Sequence, residues 1–192
     1  MKPKVLITGA SSGLGRYLCL KFESEGHEVL KHEGTKHFDL TKVDEVIALA
    51  AKARQFGVKV LVNNAAITCP GKDLEDYNTS KILDMIAVNL TAPVILTHEL
   101  IDSLTDIINI NSMVGLEIKE KRTLYSATKW GLRGFSQSLK AENSNLNVLD
   151  VYPTNIKTTP DKKYAMDINF VIDNIYNSFT KKDQELILDG RK

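Results

Sequence analysis

The stretch "KVLITGASSGLG", residues 4–15, is the part of the sequence that most strongly indicates how the chain folds. Residues 4–8 form a short aliphatic run that is typical of a buried strand. Apolar residues then recur at helical spacing over residues 13–25, and Gly26 marks the end of that predicted helix. Three glycines lie between the strand and the helix. A plain tight turn and a phosphate-binding turn are both compatible with this pattern.

Strands and helices alternate along the rest of the chain. This alternation predicts an α/β fold, a doubly wound parallel sheet with helices on both faces, and 192 residues suit a single domain over 1–192. We expect Thr41 to cap the second helix and Pro93 to bend the third. Further strands are predicted over 28–30, 58–62, 106–110, 147–152 and 185–188, and further helices over 43–56, 80–104, 124–142 and 168–180.

Composition excludes several classes of protein. The net charge of +1 gives no bulk attraction to nucleic acid or to an acidic membrane surface. The two cysteines lack a metal-type spacing, so we expect no zinc site or other metal. The N-terminus has no signal-peptide layout, and charged or polar residues interrupt the longest apolar region, residues 82–100. We therefore expect a cytoplasmic protein without a membrane span.

Small and polar residues follow four of the predicted strands. After the glycine turn come "NNAA" (63–66), Ser112, and "YPTNIKTT" (152–159). Each alone is compatible with an ordinary turn or cap. Because the carboxyl ends of parallel strands share one edge, together they predict a cleft. Tyr125 and Lys129 are four residues apart and therefore share a helix face. They form either part of an active site or an ordinary pair on the helix surface.

These motifs, in this order and with Ser112 thirteen residues before Tyr125, resemble the short-chain dehydrogenase/reductase family over nearly the whole chain. The resemblance implies a Rossmann fold of about seven strands. It also implies an oxidoreductase that transfers hydride between NAD(P)(H) and a small carbonyl or alcohol substrate. A slow or non-catalytic dinucleotide-binding regulatory protein is the alternative. A sugar epimerase of the extended branch would need a further substrate domain.

The resemblance assigns four catalytic residues. Tyr125 would be the general acid in reduction and the base in oxidation, and the nearby Lys129 ammonium is expected to lower its pKa. Lys129 would also bind the nicotinamide ribose, and Ser112 would hold the substrate oxygen. Asn89 would hold Lys129 in position through a water molecule. The alternative is that Asn89 has no catalytic role and only lies at the helix bend near Pro93.

The same resemblance assigns the cofactor contacts. The glycine turn would line the diphosphate and ribose, the "FDLT" segment would meet the adenine, and the later strand ends would flank the adenosine and the nicotinamide. The residues are Gly9, Ser11, Ser12, Gly13, Leu14, Gly15, Asp39, Leu40, Asn63, Ala65, Tyr125, Lys129, Pro153, Ile156 and Thr158.

Three departures from the family pattern stand out. Residues 31–37 are too few for the usual helix, so one crossover must be a loop. Within them Glu33 would bind the ribose hydroxyls and favour NAD, whereas Lys31, His32 and Lys36 would favour NADP. Thr154 stands where the family has glycine. The segment after Thr159 is short, which leaves the active site open or closed by a partner subunit.

The predicted helices over 80–104 and 124–142 would each leave an apolar face partly uncovered. We therefore expect a homodimer or homotetramer. No residue outside the shared motifs indicates which carbonyl or alcohol is the substrate.

Overall fold

A computed structural model describes residues 1–69, 71–157 and 165–191. In this part of the chain, six parallel strands form one sheet in the order β2-β1-β3-β4-β5-β6. They are β1 (Lys4–Thr8), β2 (Val29–His32), β3 (Val58–Asn63), β4 (Asp106–Ile110), β5 (Asn147–Pro153) and β6 (Glu185–Leu188). The predicted doubly wound parallel sheet is confirmed.

Helices cover both faces of this sheet. Helices α1 and α6 pack on one face, and α2, α4 and α5 pack on the other. The helices are α1 (Gly13–Ser24), α2 (Val43–Phe56), α3 (Thr79–Ile86), α4 (Ala92–Leu100), α5 (Thr123–Glu142) and α6 (Ile168–Lys181).

The core follows from the period of two along the strands. In β1, Val5 and Ile7 contact the α1–α6 layer, and Leu6 contacts the α2–α4 layer, all three fully buried. A strand that is apolar on both faces must lie in the middle of a covered sheet. The run "KVLIT" therefore fixes β1 as a central strand.

The prediction of about seven strands exceeds the six that the described residues form. After His32 the chain turns at Gly34, which has φ of +94°, and reaches Asp39 without adding a strand. A crossover between parallel strands takes about a dozen residues or more, and this segment is shorter. The predicted loop therefore takes the place of the helix. Strand β2 becomes the edge strand of the sheet. It begins at Val29 rather than at the predicted Glu28.

The predicted helix over 80–104 is interrupted earlier than expected. A π-helical turn, Ala87–Thr91, joins α3 to α4, which ends at Leu100. The irregularity therefore begins six residues before Pro93, which lies in the first turn of α4. By length and composition the span Thr79–Leu100 could cross a membrane, but Leu96 and Leu100 pack in the core of the sheet.

The predicted cap of α2 is also wrong. Lys42 is the N-cap residue, and the Thr41 hydroxyl instead donates a hydrogen bond to the Asp39 carboxylate at 2.8 Å. Because Asp39, two residues earlier, accepts this hydrogen bond, the Thr41 side chain does not cap α2.

Candidate active site

The carboxyl ends of the strands border a cleft of about 1350 Å³. Ligand pockets typically occupy about 300–1,000 Å³, so this cleft is large enough for more than a small molecule. Among the described residues, Glu33, Asn63, Asn89 and Lys129 do not line it, and Thr158 lies outside the described part of the chain. The predicted residues that line it are Gly9, Ser11, Ser12, Gly13, Leu14, Gly15, Asp39, Leu40, Ala65, Ser112, Tyr125, Pro153 and Ile156.

Glycines shape the turn after β1. Gly9 and Gly13 have φ of +67° and +52°, where other residues are strained. A Cβ on Gly15 would lie 2.1 Å from the Gly9 carbonyl oxygen, so only glycine lets α1 come this close. Ser12 is the N-cap of α1, but its side chain makes no capping hydrogen bond within the described structure. The N–H groups of the first turn can therefore meet an anion in the cleft.

Asn64 is a positioning residue that the sequence analysis missed. Its side-chain amide donates to the carbonyls of Thr8 and Gly9 at 2.8 and 3.2 Å. The Thr8 hydroxyl in turn accepts from the backbone N–H groups of Asn64 and Ala65, both at 3.0 Å. The end of β3 thus holds the glycine turn, and the only sequence signal is the asparagine doublet.

Asn63 lies deeper, beneath the cleft. Its side chain donates to the Asn109 side chain at 2.8 Å, and Asn109 donates to the Ser136 hydroxyl at 2.8 Å. All three residues are buried. This chain of hydrogen bonds joins β3, β4 and α5.

Ser112, Tyr125 and Lys129 meet at the other end of the cleft. The Ser112 side chain lies near the Tyr125 hydroxyl and acts to lower the pKa of Tyr125. The Lys129 ammonium lies 5.6 Å from the centroid of the Tyr125 ring and donates to the Ile110 carbonyl at 2.8 Å. An ammonium has three donors, and hydrogen bonds within the described chain use one of them. The Lys129 side chain is nearly fully buried and does not itself line the cleft.

Burial dominates the ionisation of this pair. It raises the pKa of Tyr125, although the Ser112 side chain and the Arg122 charge act in the opposite direction. It also lowers the pKa of Lys129 to about 8. The expected fall in the pKa of Tyr125 is therefore wrong for the protein alone, because loss of hydration outweighs the nearby charges.

Asn89 occupies the π-helical turn and is almost fully buried. Its side chain accepts from the Ile67 N–H at 2.7 Å and donates to the Ile67 carbonyl at 2.9 Å. It also donates to the Thr128 hydroxyl at 3.2 Å. These bonds connect the segment after β3 to α5 one residue before Lys129. Pro93 has no N–H to offer the Asn89 carbonyl four residues earlier.

Asn111 is a second positioning residue that the sequence analysis passed over. Its side chain donates to the Lys129 carbonyl at 3.2 Å and accepts from the Ser112 N–H at 2.9 Å. A Cβ on Gly115 would lie 2.6 Å from its oxygen. Asn111 therefore fixes Ser112 relative to α5, and its position directly before Ser112 was the available signal.

His32 organises the opposite end of the cleft, which the short loop forms. The Gly9 N–H donates to its Nδ1 at 3.3 Å, so Nε2 carries the proton and donates to the Phe38 carbonyl at 2.8 Å. Burial lowers the pKa of His32. Glu33 is exposed beside it, and the Asp39 carboxylate accepts from the Thr41 N–H and hydroxyl. His32, expected to act only by its charge, joins the loop to the glycine turn.

The loop after β5 supplies Pro153 and Ile156 to the cleft. Thr154 replaces the family's glycine without a positive φ, so the lost conformational freedom is not needed here. Its N–H donates to the Leu188 carbonyl at 2.9 Å, and its hydroxyl accepts from the Gly190 N–H at 2.9 Å. Thr154 therefore attaches the segment after β6 to this wall of the cleft.

Comparison with proteins of known sequence identifies relatives. Nodulation protein G from Rhizobium sp. strain N33 is 36% identical over 171 residues, which cover 76% of this chain and 69% of that protein. An NADPH-dependent 1-acyldihydroxyacetone phosphate reductase from Schizosaccharomyces pombe is 32% identical over 162 residues. That match covers 72% of this chain and 54% of the reductase.

Comparison with solved structures gives the same fold. The bulky-bulky ketone specific alcohol dehydrogenase from Comamonas testosteroni matches with a TM-score of 0.84 at 25% identity, covering 97% of this chain and 86% of that one. The family model for short chain dehydrogenases matches residues 31–168. By its sequence and by the sheet and cleft described above, this chain belongs to the short-chain dehydrogenase family.

Proposed function

We propose that this protein is an oxidoreductase that transfers hydride between a nicotinamide dinucleotide and a small carbonyl or alcohol compound. Tyr125 is the general acid for reduction. The observation that carries the proposal is that Ser112 and Tyr125 line the same cleft as the glycine turn, with the Lys129 ammonium 5.6 Å from the centroid of the Tyr125 ring. Relatives named as a reductase and an alcohol dehydrogenase support the same class of reaction.

The residues present suit a dinucleotide. The uncapped N-terminus of α1 and the positive φ of Gly13 suit a diphosphate. The Lys129 ammonium, 5.6 Å from the centroid of the Tyr125 ring, is proposed to hold a ribose hydroxyl beside the phenol when the dinucleotide binds. When bound, the nicotinamide supplies or accepts the hydride. NAD or NADP is the proposed cofactor, with NAD favoured by Glu33.

The chain's own residues handle the proton. In reduction the Tyr125 hydroxyl gives its proton to the carbonyl oxygen, and the Ser112 hydroxyl donates a hydrogen bond to the same oxygen. Because burial raises the pKa of Tyr125, the phenol stays protonated at neutral pH and is ready to act as an acid. Oxidation needs the phenolate, so its rate should rise with pH.

Replacement of Tyr125 by phenylalanine tests the proposal. We expect the rate of ketone-dependent NADH or NADPH oxidation to fall by about 10²–10⁴-fold, since a positioned acid contributes that much. Dinucleotide affinity, measured by fluorescence titration, should stay within about twofold because the phenol is not a main binding group. The assay uses a panel of small ketones with each reduced dinucleotide.

The control is Tyr17→Phe, which alters an exposed tyrosine on α1. It should leave both rate and affinity unchanged. A wild-type protein that binds the dinucleotide yet turns over no faster than Tyr125→Phe would be the regulatory protein instead. Absence of binding to either dinucleotide would defeat both functions.

Exposed apolar side chains support the proposed homodimer or homotetramer. Leu83 on α3 is 61% exposed and Trp130 on α5 is 44% exposed, so both helices present apolar surface to solvent. Burial against a second copy would remove that surface from water. Light scattering should give at least twice the chain mass, and a monomer would contradict the proposal.

A further inference from the structure

Arg122 is a charged group of the cleft that the proposed reaction does not use. It directly precedes α5, three residues before Tyr125, and lines the same cleft as Ser112 and Tyr125. Its guanidinium carbon lies 5.9 Å from the centroid of the Tyr125 ring. The side chain is half-buried. A substrate whose carbonyl meets Tyr125 would therefore lie within reach of this cation.

The neighbouring cations are already neutralised. Arg191 donates two hydrogen bonds to Glu117, each at 2.9 Å, and its Nε donates to Asp189 at 2.8 Å. Lys121 pairs with Asp73 at 3.5 Å. Because carboxylates of the protein balance both charges, Arg191 and Lys121 have little net charge left to attract an anionic ligand.

Arg122 differs from both neighbours. Within the described residues, no carboxylate lies within 4.0 Å of its guanidinium and no hydrogen bond satisfies it. Lys119, also exposed at the cleft, adds a second positive charge without a carboxylate partner in that part of the chain. A half-buried guanidinium loses hydration, and an oxyanion that fits its planar set of donors would restore the lost hydrogen bonds.

We propose, building on the oxidoreductase function above, that the substrate carries an oxyanion, a carboxylate or a phosphate, that Arg122 binds while the carbonyl lies at Ser112 and Tyr125. The alternative is that Arg122 acts only through its charge on the nearby Tyr125. That alternative predicts equal effects on charged and neutral substrates. The proposal predicts that loss of Arg122 weakens binding of the charged substrates alone.

The test measures binding of matched probes by ligand-observed NMR, with and without dinucleotide. The carboxylate pair is 4-oxopentanoate and its methyl ester, and the phosphate pair is dihydroxyacetone phosphate and dihydroxyacetone. Wild-type protein should bind the anion of at least one pair at least tenfold more tightly than its neutral partner. The pair that shows this preference identifies the oxyanion.

Arg122→Gln should reduce that preference to within twofold, and Arg122→Lys should keep part of it, since a lysine retains charge but not the planar donors. Lys121→Gln is the matched control, because it removes the adjacent cation that pairs outside the cleft, and it should keep the full preference. Equal wild-type binding of charged and neutral probes would overturn the proposal. So would an unchanged preference in Arg122→Gln, or an equal loss in Lys121→Gln.

Measurements of probe binding distinguish a failure of the oxyanion proposal from a failure of the oxidoreductase proposal on which it rests. Failure of the oxidoreductase proposal would appear as absence of turnover or of dinucleotide binding. Failure of the oxyanion proposal would appear as indifference of the cleft to the charge of the probe.

Discussion

The two ends of the cleft are built in different ways. At one end, Ser112, Tyr125 and Lys129 are held by side chains that connect several elements of the core, such as Asn111 between the end of β4 and α5. At the other end, the His32 side chain attaches the loop over residues 33–38 to the glycine turn, and Phe38 packs against the core on the α2 side of the sheet. The reacting end should therefore tolerate little change, whereas the loop end can vary with the dinucleotide that it binds.

The largest effect is expected at the reacting end, from Lys129→Met. Activity should fall at least about 100-fold, because the ammonium beside Tyr125 is lost. The change should also remove a pH dependence of stability. The pKa of Lys129 is lowered from 10.5 to about 8, so between these values the unfolded chain binds a proton that the folded chain does not.

Wild-type stability should therefore rise from pH 8 to pH 10.5 by up to about 3 kcal/mol from this group, and that rise should be absent in Lys129→Met. Urea unfolding at pH 7, 8.5 and 10 measures it. Lys181→Met removes an exposed lysine on α6 and should follow the wild type. Parallel curves for wild type and Lys129→Met would show that burial does not disfavour this ammonium.

A smaller effect is expected from His32→Phe at the loop end. The two lost hydrogen bonds should weaken dinucleotide binding by about tenfold, at roughly 1 kcal/mol or less for each bond. The rate at saturating dinucleotide should stay within about twofold, since the reacting groups are distant. Fluorescence titration and kinetics separate the two effects.

His37→Gln, an exposed histidine of the same loop, serves as the control and should bind like the wild type. If His32→Phe lowered the saturated rate as strongly as the affinity, the two ends would be coupled. The contrast between them would then fail.

The smallest effect is expected from Glu33→Ala. Glu33 was predicted to favour NAD, but it is exposed and is absent from the described lining of the cleft. An exposed charge acts weakly, so we expect the preference between NADH and NADPH to shift toward NADPH by only about two- to threefold. Titrations with both dinucleotides measure the shift. An unchanged preference would remove Glu33 from the site.

The glycine turn and the Tyr125–Lys129 pair could be placed from sequence because local spacing determines their placement, whereas the role of Ser112 came from the family resemblance. A glycine between a strand and a helix, or two residues four apart on one helix, has few possible geometries. The same holds for β1, whose continuous apolar run requires cover on both faces.

Asn64, Asn111 and His32 could not be found in that way. Each acts by a contact with a distant part of the chain, as when Asn64 holds Gly9 from 55 positions away. An isolated asparagine or histidine has many ordinary uses, so its type alone indicates nothing specific. The π-helical turn and the direction of the Tyr125 pKa also depend on packing that no local pattern contains.

The π-helical turn has a consequence for insertions and deletions. An α-helix advances about 100° per residue, and a π turn accommodates one residue more than an α turn. Met85 before it packs with Tyr125, whereas Leu96 after it packs in the core of the sheet. Deletion of one residue within 87–91 would turn the π turn into an α turn and leave the two halves of the helix in nearly the same orientation, whereas insertion of one residue would rotate them against each other. After such an insertion the molecule would have to give up either the sheet contact or the wall of its cleft, so this short stretch should tolerate a one-residue deletion that spares Asn89 far more readily than an insertion.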